Sequence, residues 1–192
     1  MKHTIREELN GVFVFVGVIW CVFFLGFVAP FNLDSFGVTP RTLVGLIGIP
    51  ALPFLHANLA HLLSNTIPLT VLLLLLAGSR AKSWAIVIDI VLLGGVLLWL
   101  FGRQATHVGA SGLIYGLIAF LIVSGFLEKR IVPLVISVAV GFLYGGTLLW
   151  GILPRLGSQL SWDGHLFGAI AGWIIAYLLT KGSRKSRSAS EN

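Results

Sequence analysis

The stretch VGASGLIYGLIAFLIVSGF, residues 108–126, decides the class of fold. It carries no charged side chain, and crossing a hydrocarbon layer about 30 Å thick takes roughly 20 apolar residues as α-helix. Its apolar residues do not alternate with polar ones, as they would in the strands of a membrane barrel. The stretch therefore predicts a transmembrane helix with a serine, Ser111, close to one end.

The rest of the chain has the same character. Hydrophobic residues make up 57% and charged residues 10% of the 192 residues, and the mean hydropathy is +0.97. A water-soluble core of this size would need far fewer apolar residues. We predict an all-α membrane protein. Charged residues, glycines and prolines divide it into six spans: 11–29, 57–78, 83–101, 108–126, 131–151 and 164–180.

The basic residues predict the orientation of this six-helix bundle. With six spans, both termini lie on one side, and ten of the thirteen basic residues fall on that side. They are Lys2, Arg6, Arg80, Lys82, Lys129, Arg130, Lys181, Arg184, Lys185 and Arg187. Arg41, Arg103 and Arg155 face the other side, so the positive-inside rule places both termini in the cytoplasm. The net charge of +6 thus reports topology and not nucleic-acid binding.

Three regions follow from this division. Residues 1–10 form a cytoplasmic N-terminal tail, residues 11–180 the membrane domain, and residues 181–192 a basic cytoplasmic tail. The basic tail lacks apolar residues, so we expect it to be disordered. The loop 30–56 is too long and apolar to lie in water, so we expect it in the membrane interface or partly embedded.

Polar residues begin the second, fourth and sixth spans. On the predicted topology these spans run inward from the outer side, which places His61, Asn65, Ser111 and His165 within a turn or two of the outer surface. His61 and Asn65 are four residues apart, and so are Ser111 and Tyr115, so each pair shares a helix face. Three distant segments therefore deliver a hydroxyl, an imidazole and amide donors to one depth.

A stripe of small residues favours close packing of the sixth span. His165, Gly168 and Gly172 lie on one face of it, and such stripes let helices approach closely in lipid. If the stripe packs against Gly112 and Gly116 of the fourth span, the histidine comes close to the serine. A serine, a histidine and amide donors are the parts of a serine hydrolase with a catalytic dyad.

The orienting group for the histidine is the less obvious part. Asp89 lies on the cytoplasmic side of the membrane middle, where we favour a structural hydrogen bond to a neighbouring helix, and Asp163 is expected in the outer loop, facing away. Tyr115 is the better candidate, because its ring can stack on the imidazole. His107 is expected to be a loop or cap residue, and the segment 151–164 is a candidate lid.

These residues resemble the rhomboid family of intramembrane serine proteases across essentially the whole six-helix core. The resemblance is carried by His56-x4-His61-x3-Asn65, by Gly109-Ala110-Ser111-Gly112 with Tyr115, and by His165-x2-Gly168-x3-Gly172. It implies that Ser111 is the nucleophile, His165 the general base and acid, and His61 and Asn65 oxyanion donors. The Ser111 backbone amide, at the start of the fourth span, is a further candidate donor. It implies support from Tyr115, His56 and the four motif glycines Gly109, Gly112, Gly168 and Gly172.

The resemblance also implies cleavage of transmembrane protein substrates near their outer ends, in the lipid bilayer, without metal or cofactor. The compact form favours a prokaryotic plasma membrane. The family's common Trp-Arg pair is absent from the first outer loop, which has Arg41 but no tryptophan, and Gly164 replaces the usual alanine before His165.

Three alternatives remain open from the sequence. A catalytically inactive rhomboid-like protein would bind membrane clients without cleaving them. A transporter would need a polar path, yet the spans are almost uniformly apolar below the three motifs. A zinc protease would need a metal site such as His56, His61 and His165, and would leave Ser111 unexplained.

Overall fold

The computed structural model of the chain describes residues 5–80, 82–154 and 161–190, with side chains as far as residue 182. Within these ranges it is entirely helical apart from turns and one isolated bridge, which confirms the predicted fold class. The α-helices are α1 Ile5–Val28, α2 Leu43–Ala51, α3 Leu59–Ser79, α4 Ser83–Phe101, α5 Ser111–Glu128, α6 Ile131–Gly151 and α7 Trp162–Ser190. Two short 3-10 helices, Leu33–Phe36 and Leu52–Phe54, lie between α1 and α3.

Six of the helices, α1 and α3 to α7, are long and apolar enough to cross a membrane. The protein is therefore a multi-pass integral membrane protein, with the number of spans that the sequence predicts. The ends differ in places. The helix α1 begins at Ile5, within the segment predicted as a tail. The helix α5 begins at Ser111 and not at residue 108, because Gly109 has φ +116° and breaks the helical backbone before the serine.

The last helix is longer than predicted. Its backbone remains helical to Ser190, through most of the basic segment that the sequence predicts to be disordered. Lysine and arginine are good helix formers, and a helix that already exists is extended without a new nucleation cost. A composition that predicts disorder in an isolated segment therefore does not exclude helical backbone where a membrane span precedes it.

The central helix is α5, which has the largest buried share of any span, 61%. It packs against α3, α4, α6 and α7, and its fully buried core residues include Leu117, Ile118 and Phe120. Towards α6, Ser137 Oγ donates a hydrogen bond to Ile122 O at 2.7 Å. Because four of the other membrane-spanning helices pack directly on α5, its first residue, Ser111, is held by contacts on several sides.

Glycines hold α5 and α7 at very short distance. A Cβ added at Gly168 would lie 2.0 Å from Gly112 O, and one at Gly172 would lie 1.9 Å from Gly116 O. Both distances are far below van der Waals contact, so only glycine fits at these two positions. This is the packing that the glycine spacing predicts, and it brings the start of α7 beside the start of α5.

The segment between α1 and α3 is anchored on the end of α4. Arg41 donates from its backbone N–H to Trp99 O at 3.0 Å and from its guanidinium to Gly102 O at 2.9 Å. The Trp99 indole donates to Thr42 O at 2.8 Å. A tryptophan from α4 and an arginine from the loop thus meet in space, although the family's adjacent Trp-Arg pair is absent.

Asp89 is exposed on the surface of α4 and lines a groove with Leu178 and Leu179 of α7. It makes no hydrogen bond to any residue in the described part of the chain, so the structural hydrogen bond favoured from the sequence is not found there. The Asp89 carboxyl group lies on the exposed face of α4, beside apolar side chains of α7.

Candidate active site

Ser111 is the first residue of α5, and the backbone before it sets its position. Gly109 has φ +116°, a conformation that side-chain-bearing residues rarely adopt. Its N–H donates to Leu52 O at 3.1 Å, which ties the turn to the 3-10 helix Leu52–Phe54. The serine therefore sits at a helix N-terminus, where backbone N–H groups without helical partners create a positive potential.

His165, in the first turn of α7, lies directly beside the serine. Its Nε2 is 3.0 Å from Ser111 Oγ, and its Nδ1 is 3.1 Å from Gly151 O at the end of α6. A carbonyl oxygen only accepts hydrogen bonds, so Nδ1 must carry the hydrogen, which leaves Nε2 of the neutral ring as an acceptor. The serine hydroxyl then donates to Nε2, as a general base requires.

Tyr115 lies one turn below Ser111 and stacks on the histidine. The two rings are parallel to within 2°, with centroids 4.1 Å apart, and the Tyr115 hydroxyl donates to Thr147 O of α6 at 3.0 Å. A Cβ at Gly151 would lie 1.7 Å from that hydroxyl oxygen, so glycine is required where α6 meets the tyrosine. The imidazole ring of His165 is thus held by two groups: the Tyr115 ring packs on its face, and Gly151 O accepts a hydrogen bond from its Nδ1.

Sequence reasoning missed the carbonyl groups of Gly151 and Thr147. Every residue has a backbone carbonyl group, so the sequence does not indicate which carbonyl will accept a hydrogen bond from the histidine or the tyrosine. The one available sign was the glycine itself, at the end of an apolar helix.

His61 and Asn65 lie on the opposite wall, on α3. A Cβ at Gly109 would be 2.6 Å from His61 Nε2 and 3.7 Å from Asn65 Nδ2, so both side chains border the turn before the serine. The side chain of Asn58 caps α3 by accepting from the His61 N–H at 2.9 Å. Asn65 is only 6% exposed, and its Nδ2 has no hydrogen-bond partner among the described residues. A buried unpaired amide donor needs an explanation, and a bound oxyanion would supply its acceptor.

His56 lies behind His61, in the linker before α3. It is 6% exposed, with its ring centroid 5.1 Å from that of His61, and the Ala110 N–H approaches its Nε2 at 3.5 Å. Burial, and then the neighbouring His61, lower the pKa of His56 to about 4. Burial raises the pKa of Asp34, in the first 3-10 helix, and this effect is opposed by His61. His56 is therefore a neutral residue that packs beneath the serine turn.

A cavity of about 770 Å³ joins these groups. Its wall includes His61, Asn65, Ser111, Tyr115 and His165. The space is large enough for a short length of extended polypeptide, and the five residues named line it from three helices, α3, α5 and α7. Of the sequence-predicted site residues, the structure places these five around one cavity, whereas His56 and the four motif glycines pack behind it or between the helices.

Asp163 differs from its sequence-based interpretation, whereas His107 lies in a loop, as expected, but is buried. Asp163 does not face outward from a loop: it is 2% exposed and accepts hydrogen bonds from Arg103. His107 is 3% exposed and contacts Ser161 at the start of α7. The predicted lid 151–164 includes residues 155–160, which lie outside the described part of the chain.

Among the described residues, no three histidine, cysteine or acidic side chains are grouped closely enough to hold a metal ion. His56, His61 and His165 therefore do not form the zinc site that was one alternative. Instead, fold and site define a helical membrane protein in which a serine and a histidine from different spans share a hydrogen bond in a polar cavity.

Comparison with known proteins agrees with this class. The family model described as Rhomboid domain matches residues 40–182, so the chain belongs to the rhomboid family. Uncharacterized protein Rv1337 of Mycobacterium tuberculosis (strain ATCC 25618 / H37Rv) is 43% identical over 187 residues, which cover 92% of this chain and 77% of that protein. Uncharacterized protein ML1171 of Mycobacterium leprae is 39% identical over 202 residues, with 99% and 79% coverage. Putative rhomboid protein L523 of Acanthamoeba polyphaga mimivirus is 33% identical over 142 residues, with 68% and 74% coverage.

Proposed function

We propose that the protein is an intramembrane serine endopeptidase that cleaves transmembrane protein substrates near the outer face of the membrane. The observation that carries the proposal is the 3.0 Å contact between His165 Nε2 and Ser111 Oγ, with His165 Nδ1 held to Gly151 O. This contact presents the unprotonated nitrogen to the hydroxyl, which a packing serine and a packing histidine would not need to do.

In the proposed reaction, Ser111 Oγ attacks the carbonyl carbon of the substrate peptide bond while His165 Nε2 takes the hydroxyl proton. The carbonyl oxygen becomes an oxyanion, which accepts hydrogen bonds from Asn65 Nδ2, the His61 ring and the Ser111 N–H at the α5 N-terminus. His165 then gives the proton to the leaving amine, and an acyl-enzyme remains on Ser111. Water, activated by the same histidine, hydrolyses the ester. The reaction needs no metal and no cofactor.

The substrate must expose a peptide bond inside the membrane. A transmembrane helix satisfies its own backbone hydrogen bonds, so cleavage requires local unwinding. We therefore expect substrates with glycine, proline or other helix-weakening residues near their outer ends. The cavity of about 770 Å³ provides a polar place for such an unwound segment. Nucleic acid has no part in this function.

The distribution of basic residues supports cytoplasmic termini, with the cavity opening to the outer side. The relatives in two mycobacterial species support placement in a bacterial plasma membrane. A catalytically inactive rhomboid-like protein that binds membrane clients without cleaving them is the alternative, and the labelling experiment below separates the two.

Labelling with a fluorophosphonate probe tests the proposal. The protein, reconstituted in liposomes, is treated with the probe and the adduct is located by mass spectrometry. We expect an adduct on Ser111 that both Ser111→Ala and His165→Ala abolish. Ser64→Ala is the matched control, because Ser64 lines the same cavity but donates its hydroxyl to His61 O. A folded wild-type protein that is not labelled would contradict the proposal and favour client binding.

A further inference from the structure

A group of polar side chains above the dyad has no part in the proposed reaction. Arg103 and His107 belong to the loop between α4 and α5, and Ser161 and Asp163 stand at the start of α7; we call these four the loop–helix cluster. His107 is 3% and Asp163 2% exposed. Burying a carboxylate and an imidazole is costly unless they are paired, so their arrangement calls for a physical reason.

Two sets of contacts join the loop to the helix. The Asp163 carboxylate accepts from the Arg103 backbone N–H at 2.9 Å and from the Arg103 guanidinium at 3.2 Å. His107 Nδ1 lies 2.6 Å from Ser161 Oγ, and its Nε2 lies 3.2 Å from Arg103 O and 3.7 Å from Asp163 Oδ2. His107 is therefore at the centre of the cluster, where it contacts both Ser161 and Asp163 at the start of α7.

The hydrogen-bond directions make His107 a link in either protonation state. Arg103 O only accepts, so Nε2 of His107 carries a hydrogen. In the neutral ring, Nδ1 accepts from the Ser161 hydroxyl. In the charged ring, Nδ1 donates to Ser161 Oγ, whose own hydrogen can turn to Asp163 Oδ1 at 3.5 Å. The bond between His107 and Ser161 persists in both cases.

Each end of this link is connected to one member of the dyad. Ser161 O accepts the backbone N–H of His165 at 3.1 Å, so Ser161 fixes the turn that carries the histidine. His107 lies four residues before Ser111, and a two-way backbone bridge with Val38, at 2.9 and 3.0 Å, holds it in place. The cluster thus connects the loop that leads into Ser111 with the helical turn that carries His165.

We propose that His107 is a positioning residue, which sets the distance between Ser111 Oγ and His165 Nε2 by binding Ser161. This proposal rests on the proposed function for its kinetic test. The glycine contacts between α5 and α7 lie below the dyad, whereas the loop–helix cluster lies above it. Two attachment points define the tilt of α7 as well as its separation from α5.

The experiment compares His107→Ala, His107→Asn and Ser161→Ala with Thr39→Ala. Asparagine retains a hydrogen-bonding group at the place of Nδ1. Thr39 is the control because its hydroxyl bonds Thr106 of the same loop, at 3.1 Å, from outside the cavity. The rate of fluorophosphonate labelling of Ser111, and kcat and KM on a transmembrane substrate, are measured with the thermal unfolding midpoint.

We expect His107→Ala and Ser161→Ala to lower the labelling rate and kcat roughly 10- to 100-fold with little change in KM, as for a small misplacement of reacting groups. His107→Asn should recover most of the rate, and Thr39→Ala should match the wild type. Equal rates for His107→Ala and the wild type would overturn the proposal, as would an asparagine variant that is folded but no faster than the alanine variant.

A second readout separates this proposal from the proposed function. In protein labelled with ¹⁵N-histidine, the His165 ring, assigned with His165→Ala, should give the signals of one tautomer with hydrogen on Nδ1. In His107→Ala and Ser161→Ala these signals should broaden or shift towards a mixture of tautomers. An unchanged His165 spectrum would overturn the positioning role even if the wild-type protein were not labelled by the probe. If the probe labels the wild type but the His165 spectrum is unchanged in the two variants, the positioning role is wrong and the proposed function is not affected.

Discussion

Replacing Gly172 by alanine should separate the dyad without touching it. Gly172 lies seven residues after His165 on α7, two helical turns away, and contacts Gly116 of α5. A Cβ at this position would lie 1.9 Å from Gly116 O, whereas ordinary contact begins at 3.4 Å. The backbone carbonyl cannot rotate aside within a helix, so α7 must move away by roughly 1.5 Å.

The same movement acts on the distance between the reacting atoms. His165 Nε2 and Ser111 Oγ start at 3.0 Å, so a full transfer of the shift would take them to about 4.5 Å, beyond hydrogen-bond range. A misplacement of this size typically lowers a rate roughly 100-fold. Alanine also favours the helix by up to about 1 kcal/mol over glycine, which opposes an overpacking cost of about 1–3 kcal/mol. The rate should therefore fall far more than the stability.

The assay is the rate of fluorophosphonate labelling of Ser111, with the thermal unfolding midpoint measured in parallel. Gly182→Ala on the same helix is the matched control, because a Cβ there has nothing within 4 Å and brings the same gain in helix propensity. Gly172→Ala should be about 100-fold slower than Gly182→Ala. Equal labelling rates in the two folded variants would refute the reasoning that backbone contact between α5 and α7 sets the dyad distance.

Three further predictions test other parts of the site. Tyr115→Phe keeps the stacked ring and loses the hydroxyl bond to Thr147 O, so we expect a few-fold loss of labelling rate. Tyr115→Leu removes the ring and should lower the rate roughly 10-fold or more; equal losses would contradict the stacking role. Asn65→Ala and His61→Ala should each lower kcat by about 10² to 10³ with KM nearly unchanged, as for oxyanion donors; a loss confined to KM would assign them to substrate binding. The pKa of His56 is lowered from 6.5 to about 4 in the folded protein. Between these pH values the unfolded chain binds a proton that the folded protein does not. The contribution of His56 to folding stability is therefore fully present above pH 6.5 and is lost as the pH falls towards 4. The difference in thermal unfolding midpoint between the wild type and His56→Gln, measured in detergent, should therefore shrink from pH 7 to pH 4. A difference that stays constant would contradict this role of His56.

The number of spans and the position of the three motifs are visible in the sequence because they depend on local properties. A span needs only length and hydropathy, and the starts of α3, α5 and α7 are where charge and small polar residues interrupt the apolar runs. Gly168 and Gly172 predict the α5–α7 contact for a similar reason, since a side-chain-free stripe has few other uses in lipid.

The contacts that the sequence did not reveal are those between loops and helix ends. Asp163 is separated from Arg103 by 60 residues, and nothing in the local pattern distinguishes an acid that folds inward from one that faces water. The continuation of α7 to Ser190 was missed for a different reason. The prediction of disorder rested on the composition of residues 181–192 and left out the membrane helix that precedes them.

The environment of His165 explains why a carbonyl, and not a carboxylate, orients it in the proposed enzyme. A carboxylate next to the imidazole would have to be desolvated near hydrocarbon, and this costs on the order of several kcal/mol, which can exceed what its pairing with the histidine returns. Gly151 O fixes the same tautomer with a neutral acceptor and needs no compensating charge. A neutral acceptor stabilises the imidazolium less than a carboxylate does, and the face of Tyr115, parallel at 4.1 Å, offers a cation–π contact when the ring becomes charged. The acid at this end of the bundle, Asp163, is paired with Arg103, where its charge holds the helix that carries the histidine.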